Sequence, residues 1–163
     1  MELQITSRAY GIHTVLFDEQ DIELLSSHKW HIVKVRNKFY ARTTVYKNGI
    51  SGPQTALFMH RLIMNATNEM VDHIDGNRLN NTRKNLRIAT VLQNNKNRSI
   101  GRNNSSGYKG VSYRKKDNTY EVQLKSNGIY IYGGRYADKI SAARKYNKLA
   151  IQYHGEFAKV NII

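Results

Sequence analysis

Asp72 and His73 stand side by side in this chain, Asn85 follows twelve residues after His73, and Asn94 lies nine further on. The stretch that holds them, residues 71–97, reads VDHIDGNRLNNTRKNLRIATVLQNNKN. These residue types at this spacing suit metal-dependent cleavage of a phosphodiester. Such hydrolysis needs an activated water, a charge sink for the phosphorane-like transition state and help for the departing 3′ oxygen. A bound divalent cation can supply the last two as a Lewis acid. The Asp72 carboxylate and the Asn94 amide oxygen are suitable hard ligands for Mg²⁺, which keeps positions open for water and substrate phosphate. Mn²⁺ is the expected substitute. His73 titrates near neutral pH when unperturbed and can take the proton from the attacking water.

The elements that must position these groups follow from the local pattern. Met70-Val71 begins a strand that ends at Asp72-His73. Neighbouring side chains of a regular strand point to opposite faces, so two residues serving one site predict a departure from ideal pleating there. Asp75-Gly76-Asn77 supplies a turn, and Leu86-Arg87-Ile88 forms the returning strand. Thr90 makes a good N-cap for a helix from Val91 to Asn97, on which Asn94 and Asn97 share a face. Leu79, Leu86, Ile88 and Leu92 are the predicted small core beneath. Asn77, Asn80 and Asn81 read as turn material.

Upstream, segments such as WHIVKV and FYARTTVY within residues 30–46, together with residues 11–17, are short and rich in β-branched or aromatic residues. With turns at Asn37-Lys38 and Lys47-Asn48-Gly49 they predict an antiparallel meander. Asp18 to Leu25 reads as a short helix with Asp18 as N-cap. His28 and His31 flank Trp30 at a spacing that zinc sites use, but no cysteine or second ligand pair accompanies them. Packing around Trp30 is the better reading. Residues 57–64, LFMHRLIM, predict an amphipathic helix leading into the site. His60 on it is a candidate to touch the scissile phosphate or hold the site, with a structural histidine as the alternative.

The chain of 163 residues carries 26 Lys and Arg against 12 Asp and Glu, a net charge of +14. That balance favours a polyanion as partner, with counterion release driving the association. A ribosomal or chaperone-like basic protein is the bland alternative. The excess is uneven: residues 1–60 carry 7 basic and 5 acidic side chains, residues 61–97 carry 6 and 3, and residues 98–163 carry 13 and 4. The last segment, at 13 − 4 = +9, marks a separate nucleic-acid-binding unit. The absence of cysteine excludes disulfides and thiolate metal sites. Arg8, His13, Asp18 and Glu19 interrupt any signal-peptide pattern, and no stretch approaches the roughly 20 apolar residues of a membrane span. A soluble, cytoplasmic protein without a membrane partner is expected.

The Asp-His pair with its two downstream asparagines resembles the HNH endonuclease motif, in the variant whose last His is replaced by Asn. The Met-His-Arg-Leu-Ile stretch at residues 59–63 resembles what often precedes that motif in phage-type members. The resemblance implies a ββα-metal unit, with His73 as general base and Asp72 and Asn94 on the metal. It implies that Asn85 orients the catalytic His and braces the loop.

Beyond a polar, glycine-containing segment at 98–107, where Arg98 and Arg102 are placed to track phosphates, the strand period returns. Val111 and Tyr113 alternate with Ser112, Arg114 and Lys116. Tyr120, Val122 and Leu124 alternate with Glu121, Gln123 and Lys125; Ile129 and Ile131 alternate with Tyr130 and Tyr132. Asp138 is a plausible N-cap for a helix with an apolar stripe of Ala143, Tyr146, Ala150 and Tyr153. Residues 106–161, from SGYKGVSYRKK through YGGRY to the Ala-Ala-Arg-Lys-Tyr helix, resemble the APETALA/ethylene-response-factor type of DNA-binding domain. The resemblance implies a three-stranded sheet lying in the major groove with one helix behind it. The implied DNA face is Ser112, Arg114, Lys116, Gln123, Lys125, Tyr130 and Tyr132. Several positions depart from plant members, so no target sequence carries over.

The expected class is α+β. An N-terminal β-meander leads into the ββα-metal unit (residues 1–97), a linker covers 98–107, and a three-stranded antiparallel sheet with one helix covers 108–163. The expected function is site-specific DNA cleavage, as in homing endonucleases, with one divalent cation. One motif per chain favours nicking of double-stranded DNA by a monomer, or double cutting by a DNA-bound dimer. A DNA-binding regulator with a vestigial nuclease unit is the alternative. A binder of structured RNA is disfavoured by the likeness to a major-groove reader.

Overall fold

In the computed structural model, residues 1–46, 51–101 and 103–163 are described. The turn expected at Lys47-Asn48-Gly49 and the phosphate-tracking role of Arg102 lie outside them. The chain divides into two compact units, Met1–Thr90 and Val91–Ile163. Both are built from small antiparallel sheets and short helices, a mixed α and β architecture.

The first unit opens with a hairpin of β1 (Glu2–Ser7) and β2 (Gly11–Leu16). A 3-10 turn at Glu19–Asp21 runs into helix α1 (Ile22–Ser26). The meander follows as β3 (His31–Val35), β4 (Lys38–Tyr46) and β5 (Gln54–Phe58). The ladder pairs Val35 with Lys38, so the turn is Arg36-Asn37 rather than Asn37-Lys38, with Arg36 in the left-handed region at φ 56°. The helix expected at 57–64 is shorter: Leu57 and Phe58 finish β5, and α2 spans Met59–Ile63. Strand β6 (Met70–His73) and strand β7 (Leu86–Ala89) form a two-stranded ribbon. A continuous core of Ile5, Val15, Phe17, Leu25, Trp30, Ile32, Ala41, Met59, Ile63, Val71 and Leu86 ties these elements together. Trp30 donates its indole N–H to the Leu25 carbonyl at 3.0 Å, and the His28 ring meets it edge-on at 5.7 Å. His28 thus packs around Trp30, while His31 is exposed. Of the four residues expected in the core beneath the site, Leu86 is buried and Leu79 packs partly against it. Ile88 is exposed, because a two-stranded ribbon buries only one face, and Leu92, on the helix that opens the second unit, is exposed as well.

The second unit starts with α3 (Val91–Lys96) and continues through β8 (Val111–Arg114), β9 (Thr119–Ser126) and β10 (Ile129–Tyr136) to α4 (Lys139–His154). The sheet order is β10-β9-β8, and α4 covers one face. Asp138 caps α4 by accepting from the Ser141 amide at 2.8 Å. Ala142, Ala143, Tyr146, Leu149 and Ala150 pack on Val111, Val122 and Leu124. Small alanines allow the close approach. Gly133 allows more of it: a Cβ there would sit 2.6 Å from Val122 and 2.8 Å from Leu149. The helix stripe turns to Leu149 and His154, and Tyr153 is exposed. Tyr113 and Ile129, expected on the apolar face, are exposed as well; Ile129 opens β10 at the hairpin, and the Tyr113 ring lies against Tyr120.

Candidate active site and nucleic-acid face

The loop between β6 and β7 is fixed before any catalytic group is considered. At its far end, the Leu16 amide donates to the Leu79 carbonyl at 2.9 Å, and the Asn81 amide donates to the Leu16 carbonyl at 2.8 Å. The loop thus adds a short parallel bridge to β2. Asp21, buried, holds the Arg83 guanidinium through contacts of 2.6 and 3.2 Å, and Asp18 accepts the Arg83 amide at 2.6 Å. Asp18 therefore serves the loop, and its side chain makes no capping bond to the helical turn that follows it.

Asn85 braces the inside of the loop. Its Oδ1 accepts the Asp75 amide at 3.0 Å, and its Nδ2 donates to Asp75 Oδ1 at 3.0 Å and to the Asn80 carbonyl at 2.7 Å. Asn77 is turn material as expected, accepting the Leu79 amide at 3.1 Å. Asn81 is not. It is fully buried, and its Oδ1 lies 3.2 Å from His73 Nε2 while its Nδ2 points to the Met59 sulfur and the Leu79 carbonyl.

Asp72 and His73 are both buried, at 0% and 1% exposure. The ladder runs on through them, Asp72 opposite Arg87 and His73 opposite Leu86, so the expected break in pleating is absent. One side chain bridges the two instead. Arg78 Nη1 lies 3.5 Å from Asp72 Oδ1 and 3.2 Å from His73 Nδ1. Arg87 holds the other carboxylate oxygen at 2.9 and 3.2 Å. A guanidinium only donates, so His73 Nδ1 is an acceptor, and the proton of the neutral ring sits on Nε2, facing the Asn81 oxygen. The lone pair of the His73 ring is thereby at Nδ1, beside the Asp72 carboxylate.

Burial is the main cause that lowers the His73 pKa to about 4, with the Arg78 charge acting in the same direction. His60 sits 5.0 Å away, ring to ring, and packs against Phe58 and Tyr40. Burial first, then the charges of His73, Arg61 and Arg78, lowers its pKa to about 3. Both rings are neutral in the folded chain at pH values where an unfolded histidine is protonated. The unfolded state therefore binds more protons below pH about 6.5, and stability falls as pH drops through that range. Between pH 6.5 and 5, above the carboxylate range, the expected loss is about 1–2 kcal/mol per ring. Trp30, the chain's single tryptophan, lies in this unit's core and reports its unfolding. His60→Phe should remove about half of the dependence; a denaturation midpoint that is flat from pH 6.5 to 5 contradicts it.

Among the described residues, no group of three His, Cys, Asp or Glu side chains gathers around a potential metal. The position where Asp72 Oδ1 and His73 Nδ1 converge already holds a positive charge, the Arg78 guanidinium. A cation is electrostatically at home there. Asn94, half-buried on α3, belongs to the second unit.

On the second unit the uncovered sheet face presents Ser112, Arg114, Gln123, Lys125, Tyr130 and Tyr132, while Lys116 lies in the β8–β9 turn rather than on a strand. Tyr130 and Tyr132, at 67% and 59% exposure, stand opposite Lys125 and Gln123, and the Lys125 ammonium lies 4.9 Å from the Tyr130 ring centre. Glu121 occupies the middle of the face, bonded to Arg114 at 2.9 Å, Gln123 at 3.0 Å and Arg135 at 3.3 Å. Arg135, which the strand pattern did not single out, also pairs with Asp117 at 2.7 Å. Its signal was obscured by the Gly133-Gly134 irregularity, which shifts the register just before it.

An HNH endonuclease family model matches residues 58–96, from the end of β5 through α3. A protein of Acanthamoeba polyphaga mimivirus, described as an uncharacterized HNH endonuclease, is 36% identical over 144 residues, covering 85% of this chain and 74% of the relative. This chain belongs to the HNH endonuclease family. Protein 3.8 of Escherichia phage T7 is 32% identical over 89 residues, 55% of this chain and 73% of the phage protein. Both relatives of this HNH protein are viral. The family match spans His60, the bridging Arg78, the buried Asn81 and all four residues of the chemical constellation. No helix in the described residues is long and apolar enough to cross a membrane.

Proposed function

We propose that this HNH protein is a site-specific DNA endonuclease of the homing type, in which the β6–β7 ribbon and α3 form a ββα-metal unit that nicks one strand per active site. The observation that carries the reading is the convergence of a buried Asp72 carboxylate and the His73 Nδ1 lone pair on one cationic group. Asp72 and Asn94 would hold a divalent cation, Mg²⁺ with Mn²⁺ as substitute. When bound, that cation supplies Lewis-acid stabilisation of the scissile phosphate.

The remaining work belongs to the chain. The His73 Nδ1 atom takes the proton of the attacking water, and its neutrality above pH about 4 keeps it competent for this. Asn81 holds the ring in the tautomer that leaves the lone pair on Nδ1, and Asn85 keeps the Asp75–Asn80 loop closed beneath it. Arg78, released from Asp72 and His73 as substrate arrives, is placed to meet the phosphate charge.

The second unit acts as the targeting domain, of APETALA/ethylene-response-factor type, with Ser112, Arg114, Lys116, Gln123, Lys125, Tyr130 and Tyr132 on double-stranded DNA. Its support is a three-stranded sheet with one covered and one open face, the open one carrying basic, amide and aromatic groups. Arg114 is held by Glu121 and Asp117 before DNA arrives, which presets the direction of its fork. Arg114→Ala is expected to relax discrimination at one base pair, costing about 1–3 kcal/mol on the preferred sequence. Binding to a panel of duplexes changed one pair at a time checks this, and uniform weakening at every position would assign Arg114 to a phosphate instead.

The deciding test of the whole reading is plasmid relaxation. Supercoiled DNA with Mg²⁺ should become nicked, and EDTA should stop it. Tight duplex binding without cleavage in any divalent cation would leave a DNA-binding regulator with a vestigial nuclease unit.

A further inference from the structure

The second unit contains a cavity of about 570 Å³ at the edge of its apolar core, where the end of α3, the turn before β8, the β9–β10 hairpin and α4 meet, with Leu124 and Tyr146 on its wall. Lys96, Arg98, Lys109 and Lys125 line it together with His154, and no Asp or Glu is among the described residues that line it. The Lys125 ammonium is turned to the Tyr130 ring; the other three cations repel each other unless an anion shares the hollow. Lys109 sits among them. Its ammonium is half-buried, bonded to the Lys96 carbonyl at 2.6 Å, and burial together with the charges of Lys159 and Arg98 lowers its pKa to about 8.

A second, independent feature points the same way. His154 is buried, at 7% exposure, and its Nε2 donates to the Lys125 carbonyl at 3.1 Å. Its Nδ1 is buried with no hydrogen-bond partner. An unmet buried polar atom is costly and asks for an occupant. Burial, with the charges of Lys96 and Lys109, lowers the pKa of the ring; an anion that offsets those charges lets the ring take a proton and donate from Nδ1 to it. The rim of the cavity passes through Gln123 and Lys125, which also belong to the open sheet face.

We propose that this cavity is a phosphate-binding pocket that takes a backbone phosphodiester of DNA lying on the open sheet face. The assignment of the backbone as the source rests on the DNA-targeting role of the second unit; the anion site itself rests on the cavity. In this arrangement the sheet reads bases while the pocket fixes register, since phosphate contacts position a protein without carrying sequence information.

The test uses the full chain. Duplex affinity is measured across salt for the wild type, Lys109→Met and Lys96→Gln; the latter leaves the Lys109 bond to the Lys96 carbonyl in place. Each variant should lower the salt slope by about 0.9, so that its deficit shrinks about 3.5-fold between 50 and 200 mM salt, equally on preferred and unrelated sequences. In parallel, the His154 ring signal, assigned by its loss in His154→Gln, should move on adding inorganic phosphate to wild type but not to Lys109→Met. Unchanged slopes with a still ring signal overturn the pocket. A ring signal that moves with phosphate while both slopes stay unchanged overturns the backbone as occupant in favour of a small phosphate-bearing ligand. A wild type that binds no duplex, yet whose ring signal moves, locates the failure in the targeting role and leaves the anion site standing.

Discussion

Replacing His73 with alanine is expected to slow plasmid nicking by about 10²–10⁴-fold, the usual cost of losing a general base, with duplex affinity nearly unchanged. The base acts on water, and a ring at 1% exposure in the free protein contributes little surface to a duplex. The substitution also leaves the Asn81 amide without its ring partner, a loss of about 1–3 kcal/mol in stability. Trp30 emission should therefore be checked at the assay temperature. The pH profile separates a base from a structural ring. A base works unprotonated, and burial lowers the His73 pKa to about 4, so the active form persists as pH falls from 7 to 5.5. An unperturbed imidazole would be about nine-tenths protonated at pH 5.5. A nicking rate that holds over this interval supports a desolvated base at Nδ1. Turnover by His73→Ala within a few-fold of wild type excludes the assignment.

Ending the chain at Asn97 is expected to abolish site preference and most of the affinity for duplex. It keeps Asp72, His73, Asn85 and Asn94 but removes the open sheet face and a segment with 13 basic and 4 acidic side chains. The logarithmic dependence of binding on salt should become shallower by about 0.9 for each phosphate that the shortened chain no longer neutralises. Cleavage at any sequence should fall too. In the full chain α3 is held within the second unit, where the Lys96 carbonyl accepts from Lys109, and a helix of six residues has little stability of its own. Cutting at the same site, with the same preference and salt slope, would remove the targeting role from residues 98–163.

Spacing and residue type were enough to bring out the likeness to the HNH motif. An Asp-His pair at a strand end, an intervening Asn and a helical Asn mark a phosphodiesterase pattern, and the family match over residues 58–96 agrees with it. Period-two alternation likewise located all three strands of the second sheet, because a sheet covered on one side imposes that period on every strand. Charge was equally legible, being a property of composition that folding does not alter.

What the sequence did not disclose was partnership across distance. Arg78 is one arginine among many until the loop brings it to both Asp72 and His73. Asn81 looks like its neighbours Asn77 and Asn80, and only the bridge between the loop and β2 turns it inward beneath the His73 ring. Asp18 reads as a helix N-cap and Asp21 carries no signal of its own, yet both are committed to Arg83, more than sixty residues away. The same holds for the hollow of Lys96, Lys109 and His154. Local pattern fixes which face a residue presents, because backbone geometry repeats every few residues. Which partner waits on that face depends on how distant segments close on one another, and that was decided by the tertiary structure.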